Sequence, residues 1–119
     1  MTSLDNAIVG LEQVLDYPRR HQAWRAIARQ RIIGIRDALL RETARGGDGW
    51  LAPRARTLND ERRNLVTQLS ALGAQLAQVS DVEPIRAELQ RLVNKLQHHS
   101  RKMTDYAYDT VSLELGGSE

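Results

Sequence analysis

The sequence predicts an all-α fold: an antiparallel up-down four-helix bundle with a short first helix and one Gly-rich loop. Three observations lead there. Apolar residues recur at alternating steps of three and four over most of the chain, the spacing of one helix face. Phe and Cys are absent and aromatic residues make up 4%, so the core has to come from Leu, Ile, Val and Ala, which suits helices. The periodic runs are broken at few points, by Pro, Gly or Ser-Asp, and short connections make neighbouring helices antiparallel. At 119 residues the chain reads as a single domain, 1–119, large enough for one modest core.

Each helix has its own signals. The first starts at Thr2 or Ser3, either of which can cap it, and runs to about Asp16 with the seam Leu4, Ile8, Leu11 and Leu15. Gly10 is a mild internal weakness, and Tyr17-Pro18 ends the helix because Pro disfavours helical geometry in the residue before it. The second runs from about Arg20 to Arg45 and stops at Gly46-Gly47. Its inward face is Trp24, Ala28, Ile32, Ile35 and Leu39, and the next step lands on Glu42. Arg25, Arg29 and Arg36 lie opposite and read as a solvated face.

The loop from Gly46 to Arg56, GGDGWLAPRAR, carries Trp50-Leu51, too apolar to float free and expected to fold back over one end of the bundle. The third helix opens at Thr57, a cap with Asp60 and Glu61 in its first turn, and runs to about Val79. Its seam is Leu58, Arg62, Leu65, Leu69, Leu72, Leu76 and Val79. Ser80-Asp81 makes a turn, Asp81 caps the fourth helix, and Pro84 fits its first turn. That helix ends at Gly116-Gly117 and carries the longest seam: Val82, Ile85, Leu89, Leu92, Leu96, His99, Met103, Tyr106, Thr110 and Leu113.

Several functions are argued against by what the sequence contains. Without cysteine there are no disulfides, thiolate nucleophiles or thiolate metal sites. No apolar run approaches the roughly 20 residues needed to cross a bilayer, and MTSLDNAIVG lacks the layout of a signal peptide, so a cytoplasmic location and no membrane partner are expected. The net charge is only +2, although fifteen of the seventeen basic residues are Arg. So small an excess attracts nucleic acid weakly at long range and argues against it as a partner. Phosphate-binding loops, Ser nucleophiles beside a base and ExxH or HExxH metal pairs are all missing. Asp105 and Asp109 read as solvated surface, partners at most for Arg101 or Lys102.

Three seam positions are polar, and they fall at one height. Arg62 lies seventeen residues before Val79 and His99 seventeen after Val82, so at ~1.5 Å per residue both stand about 26 Å from their shared turn. Glu42, near the end of the second helix, comes to a similar height across the Gly-rich loop. A Glu42–Arg62 ion pair with His99 bonded to Glu42 would compensate the buried guanidinium; the alternative is that Arg62 carries its charge out to solvent and Glu42 follows. Trp50, Met103 and Tyr106 are the candidate lining of any pocket beside this layer, and Tyr106 with Tyr108 is expected to complete that end of the core.

These residues resemble the hemerythrin-like (HHE cation-binding) four-helix bundles, in which His and carboxylate side chains converge on a di-iron centre. The resemblance runs loosely from Ile35 to Gly117. In that family a Glu-His pair followed by an apolar residue opens the third helix; here the matching stretch is Glu61-Arg62-Arg63-Asn64-Leu65, with Arg62 standing where the ligand His would be. Glu42 matches the ligand His near the end of the second helix and His99 the His of the fourth, so only His99 keeps the family's residue type. The chain has three histidines, of which His21 is near the far end and His98 one step off the seam, about 100° round from His99. An Arg among the ligands would also repel a cation.

The expectation that follows is a non-enzymatic helical bundle resembling a hemerythrin-like domain that has lost its metal, with no cofactor, acting as an interaction or structural module. Ile27, Ile33 and Leu40 add apolar surface beyond the seam and point to a homo-oligomer or a protein partner. One alternative is a metal-binding protein in which Glu42, Glu61, His98 and His99 hold iron or zinc. A second is nucleic-acid binding through Arg54, Arg56, Arg62 and Arg63.

Overall fold

The computed structural model of the chain describes residues 3–17, 23–45 and 49–117, with side chains described as far as Ser112. Four α-helices and one short 3-10 turn make up the order α1 (Ser3–Leu15), α2 (Trp24–Arg41), the turn Gly49–Leu51, α3 (Ala52–Gln78) and α4 (Glu83–Gly117). No strand occurs among the described residues. Each helix packs on its neighbours in sequence and α1 closes the ring against α4. The residue pairings run in opposite directions along every neighbouring pair: Gly10 with Arg31 and Val14 with Trp24, Asp5 with Ser100 and Glu12 with Gln97, Arg25 with Leu76 and Ala44 with Asn59, Glu61 with His99 and Arg54 with Asp109. This is the antiparallel up-down bundle that the periodicity implies.

The seams fold inward as spaced. Leu4, Ile8, Leu11 and Leu15 of α1, Trp24, Ala28, Ile32, Ile35 and Leu39 of α2, and Leu65, Leu69 and Leu76 of α3 share one core with Ile85, Leu89, Leu92 and Leu96 of α4. The helices are unequal. α1 has 13 residues and α4 has 35, so α4 runs on past the level where α1 begins and the molecule is 60 Å long and about 20 Å across. The overhanging end has a second, smaller core of Ala44, Leu51, Ala55, Leu58 and Tyr106, with Met103 packed against it.

The helix ends depart from the sequence reading, and each departure has a local cause. Of the two expected starts of the first helix, Thr2 lies outside the described residues and Ser3 is the first residue of α1; the expected start of the second at Arg20 and its stop at Gly46-Gly47 lie outside the described residues. α2 stops at Arg41 and not at Arg45, because Glu42 is already extended, at φ −102° and ψ 98°. The extended stretch is held by α3: Asn59 accepts from the Ala44 amide at 3.0 Å and donates to the Ala44 carbonyl at 3.3 Å. α3 begins at Ala52, five residues before Thr57, with Pro53 in its first turn where a missing N–H costs nothing. Thr57 is therefore interior and its hydroxyl bonds back to the Pro53 carbonyl. Asp81 does cap α4, accepting from the Glu83 amide at 3.1 Å. The turn before α3 needs Gly49, whose φ of +58° suits a residue without a Cβ.

Two cross-links between helices stand outside the apolar seams. The Trp24 indole donates to the Val14 carbonyl at 2.8 Å, in a buried position, and locks the end of α1 to the start of α2. Arg25 is not part of a solvated face. Its guanidinium donates to the carbonyls of Leu76 at 3.1 Å, Val79, and Ser80 at 3.0 Å. These carbonyls lie at the C-terminal end of α3, where the last four have no partner within the helix and a cation is favoured. At Gly10 the Arg31 side chain crosses α1, where a Cβ would meet it at 3.4 Å.

Replacing Trp24 by Phe keeps most of the apolar contact but removes the indole hydrogen bond, leaving the Val14 carbonyl with the Tyr17 amide at 3.1 Å as its partner. The expected loss is about 0.5–1.5 kcal/mol of stability, read as a lower urea midpoint with an unchanged m-value.

Candidate functional site

The polar layer lies where the main core ends and the smaller one begins. Leu39, Leu65 and Leu96 close the first, and Leu58, Met103 and Tyr106 open the second. Between them His99 is 0% exposed, and its Nδ1 stands 2.7 Å from Oε1 of Glu61 on α3. An ionised carboxylate can only accept, so Nδ1 carries the hydrogen and donates. The other carboxylate oxygen of Glu61 accepts from Lys102 Nζ at 2.5 Å. Lys102 follows His99 by three residues on α4, so both donors stand on one side of that helix.

The layer is therefore real in height but different in membership from the expected Glu42, Arg62 and His99. Arg62 is one residue from Glu61, and a single step turns a helix by about 100°. Glu61 consequently faces α4, whereas Arg62 faces α2 and directs Nη1 to the Leu39 carbonyl across 3.5 Å. Glu42 is where α2 ends. Its amide closes the helix on the Ala38 and Leu39 carbonyls, and no hydrogen bond or ion pair joins its carboxylate to Arg62 or His99 among the described residues. Arg62 Nε and His99 Nε2 are buried with no protein partner among the described residues.

The Glu61 carboxyl is balanced between opposing effects. Burial alone would raise its pKa, but the hydrogen bonds from Lys102 and His99, and the charges behind them, outweigh burial and hold it below the ordinary glutamate value. The ionised form is thus the one the fold selects.

The surroundings also differ from the expected pocket lining. Trp50 is 70% exposed, while its neighbour Leu51 is 1% exposed and takes the inward place. Gly49–Leu51 forms a single 3-10 turn, which can seat only one of two consecutive side chains. Tyr106 is buried, with its hydroxyl donating to the Arg45 carbonyl at 2.8 Å, and Met103 packs beside it. Tyr108 does not complete this end of the core; it is exposed, two positions round the helix from Tyr106. Arg54 lies 5.6 Å from the Tyr106 ring centre and bonds Asp109 at 2.6 Å, so Asp109 pairs with α3 and not with Arg101 or Lys102. Between residues 41–45 and α4 lies an open cleft of about 520 Å³, bordered by Glu42, Arg45, Met103 and Thr104.

The donors present fit a metal ion poorly. Of the residues considered as ligands, only Glu61 and His99 meet; Glu42 caps its helix and His98 is exposed. No group of three or more His, Asp or Glu side chains able to hold a metal occurs among the described residues, and the Lys102 ammonium already occupies the second oxygen of Glu61. No helix among the described residues is long and apolar enough to cross a membrane. No family model, curated protein or solved structure matches the chain.

Two residues of this layer escaped the seam reading in different ways. Glu61 sits one step off the α3 seam, so the sequence marks it as a first-turn acid, as the Glu of the Glu61-Arg62 stretch and as an alternative ligand, but not as the partner of His99 in the layer. Asn59 carried a signal: an amide side chain inside a helix gives up propensity, and here it gains both backbone groups of Ala44 in return.

The shift at Glu61 fixes a pH dependence. Its native pKa is depressed, so its stabilising contribution is complete above the unfolded value of about 4.3 and is lost as pH falls through the native one. The stability difference between the parent chain and Glu61→Gln should stay flat from pH 7 to about 5 and shrink below about 4.3. Thermal melts of both proteins across that range check it. The pair should also respond unequally to deletion. Glu61→Leu strands the buried imidazole and should cost about 1–3 kcal/mol, whereas His99→Leu leaves Glu61 with Lys102 and should cost less.

Proposed function

We propose that this chain is a non-enzymatic helical bundle acting in the cytoplasm as an interaction or structural module, similar to a hemerythrin-like domain whose metal centre has been replaced by fixed charges. The single observation that carries this reading is the Lys102 ammonium on Glu61. In a cation site the carboxylate that faces the histidine is the natural first ligand; here one oxygen is given to Lys102 and the other to His99. Both interactions complete the carboxylate without a metal, and Arg62 adds a second positive charge one residue away. Groups so arranged hold helices in register, a use to which buried polar pairs are well suited. The exposed side chains of Ile33, Leu40, Trp50 and Tyr108 then supply the apolar contact that a partner-binding protein needs.

A second reading rests on the unpartnered Nε2 of His99. An imidazole whose Nδ1 donates to a carboxylate is oriented as metal-ligating histidines are, with Nε2 turned to the metal. In that reading Nε2 would hold iron or zinc on the side of the ring away from Glu61, and Glu61 would orient the imidazole through Nδ1.

Elemental analysis of protein purified without chelator separates the two. The interaction module contains far less than one metal ion per chain, and His99→Ala leaves that content unchanged. Stoichiometric iron or zinc that disappears in His99→Ala would establish the second reading.

A further inference from the structure

Two helix faces of this bundle carry matching patterns of opposite charge. On α1 and the residue after it, Asp5, Val9, Glu12 and Asp16 follow one another at steps of four, three and four. On α2, Arg29, Ile33, Arg36 and Leu40 follow with identical steps. At 100° per residue each set falls within about 60° of the helix circumference, so each forms one stripe. The first stripe has acids at three of four positions and no base. The second alternates arginine with an exposed aliphatic side chain, Ile33 at 42% and Leu40 at 53%. Laid parallel, the stripes place Asp5 by Arg29, Val9 by Ile33 and Glu12 by Arg36, charge to charge and apolar to apolar at three of the four positions; at the fourth Leu40 comes by Asp16, where Leu15 and Val93 also line the groove.

The shape agrees with the charge. The acidic stripe borders a groove between α1 and α4 in which two depressions of about 420 Å³ each lie end to end, sharing Glu12 and Gln97. The first contains Ile8 and Val9, the second Leu15 and Val93. Their walls are set seven residues apart, Val9 to Asp16 on α1 and Asn94 to Arg101 on α4, or about 10 Å. Ile33 and Leu40 are also seven residues apart, so both can seat at once. Asp105 adds to the acid of the groove; Arg101 is the base that opposes it.

The stripes cannot meet within one chain. α1 and α2 touch along another edge, where Arg31 crosses Gly10 and Trp24 reaches Val14, while the α2 stripe is turned about 110° from the buried seam, toward α3. We infer that the arginine stripe of α2 docks into the α1–α4 groove of a second copy of this chain. This rests on the interaction-module reading and names its partner. Because the donor stripe and the acceptor groove are different surfaces, the contact is head-to-tail: each copy gives one and receives one, and assembly continues as a chain or closes as a ring.

Sedimentation velocity over a range of concentrations, at low and at high salt, tests it. The expected result is assembly beyond the dimer at low salt, weakened at least tenfold by high salt, since the matched charges lie at a solvated surface. Arg36→Glu sets a carboxylate against Glu12 of the groove, and Glu12→Arg sets a guanidinium against Arg36 of the stripe, so each reverses one side of the same charge pair. Each variant alone should remain monomeric, and the two mixed in equal amounts should assemble again. Ile33→Asn with Leu40→Asn, which changes no charge, should also abolish assembly while circular dichroism shows an intact bundle. A parent chain that stays monomeric at low salt, assembly indifferent to these variants, or a mixture that fails to recover overturns the inference. Metal measured on the same samples keeps the two proposals apart: a monomer without metal removes only the docking, whereas stoichiometric metal removes the reading beneath it.

Discussion

The hydrogen bond between the His99 imidazole and the Glu61 carboxylate is the constraint around which the rest of the molecule is arranged. It lies where the main apolar core ends and the smaller core of the overhanging end begins, and it separates the two. A buried imidazole tolerates few geometries. Sliding α3 against α4 by one residue would leave the imidazole unpaired in an apolar setting, whereas the same slip between leucine seams would be far less costly. The layer therefore sets register in a way that the surrounding leucines cannot.

Its position also marks a change of architecture. On the side of Leu96 there are four helices; on the side of Tyr106 there are α3, α4 and the extended residues after Arg41. α1 begins at this level, with Asp5 accepting the Ser100 hydroxyl next to His99. The early stop of α2 belongs to the same transition. Once Asn59 has paired with both backbone groups of Ala44, residues 42–45 run extended along α3 and carry the chain over the end of the bundle, where the Arg45 carbonyl meets the Tyr106 hydroxyl. At the other end Arg25 gathers the carbonyls where α3 stops, so both ends of the α2–α3 pair are closed by side chains reaching across to backbone.

Most of this was legible in the sequence wherever the signal is a repeat. The seams of α1 and α2 are buried as spaced, and the height of the polar layer follows from counting residues on either side of one turn. What the seam could not give is direction within the layer. It placed Arg62 toward the centre and gave Glu61, one step away, no place in the ion-paired layer, because a period of three and four fixes which stripe is apolar but not which neighbouring helix an off-stripe residue faces. The helix ends failed for a related reason. Thr57 and Gly46-Gly47 are sound local signals, but Asn59 acting from another helix decided where α2 stops, and Pro53 allowed α3 to start early. Trp50 misled through size: the larger apolar side chain was expected inside, yet a single turn admits one of two neighbours and the narrow end of the bundle takes Leu51.

Charge along the chain carries a further regularity that no seam reveals. α2 has five arginines against one aspartate and α1 has two acids and no base, yet these helices lie side by side. Little of that opposition is used between them, since Arg25 is spent on α3 and Arg31 crosses α1 at a glycine. A fold stabilised by its own helix-to-helix attraction would have turned the stripes toward each other. Here the apolar seams determine how α1 and α2 face, which leaves Asp5, Glu12 and Asp16 on one side of the bundle and Arg29 and Arg36 on another. Surface ion pairs contribute little to a folded chain, typically under about 1 kcal/mol, so this separation costs the monomer almost nothing. It does give the molecule two faces of opposite sign with the same heptad spacing, and a surface of that kind acts on what approaches the protein far more than on the fold itself.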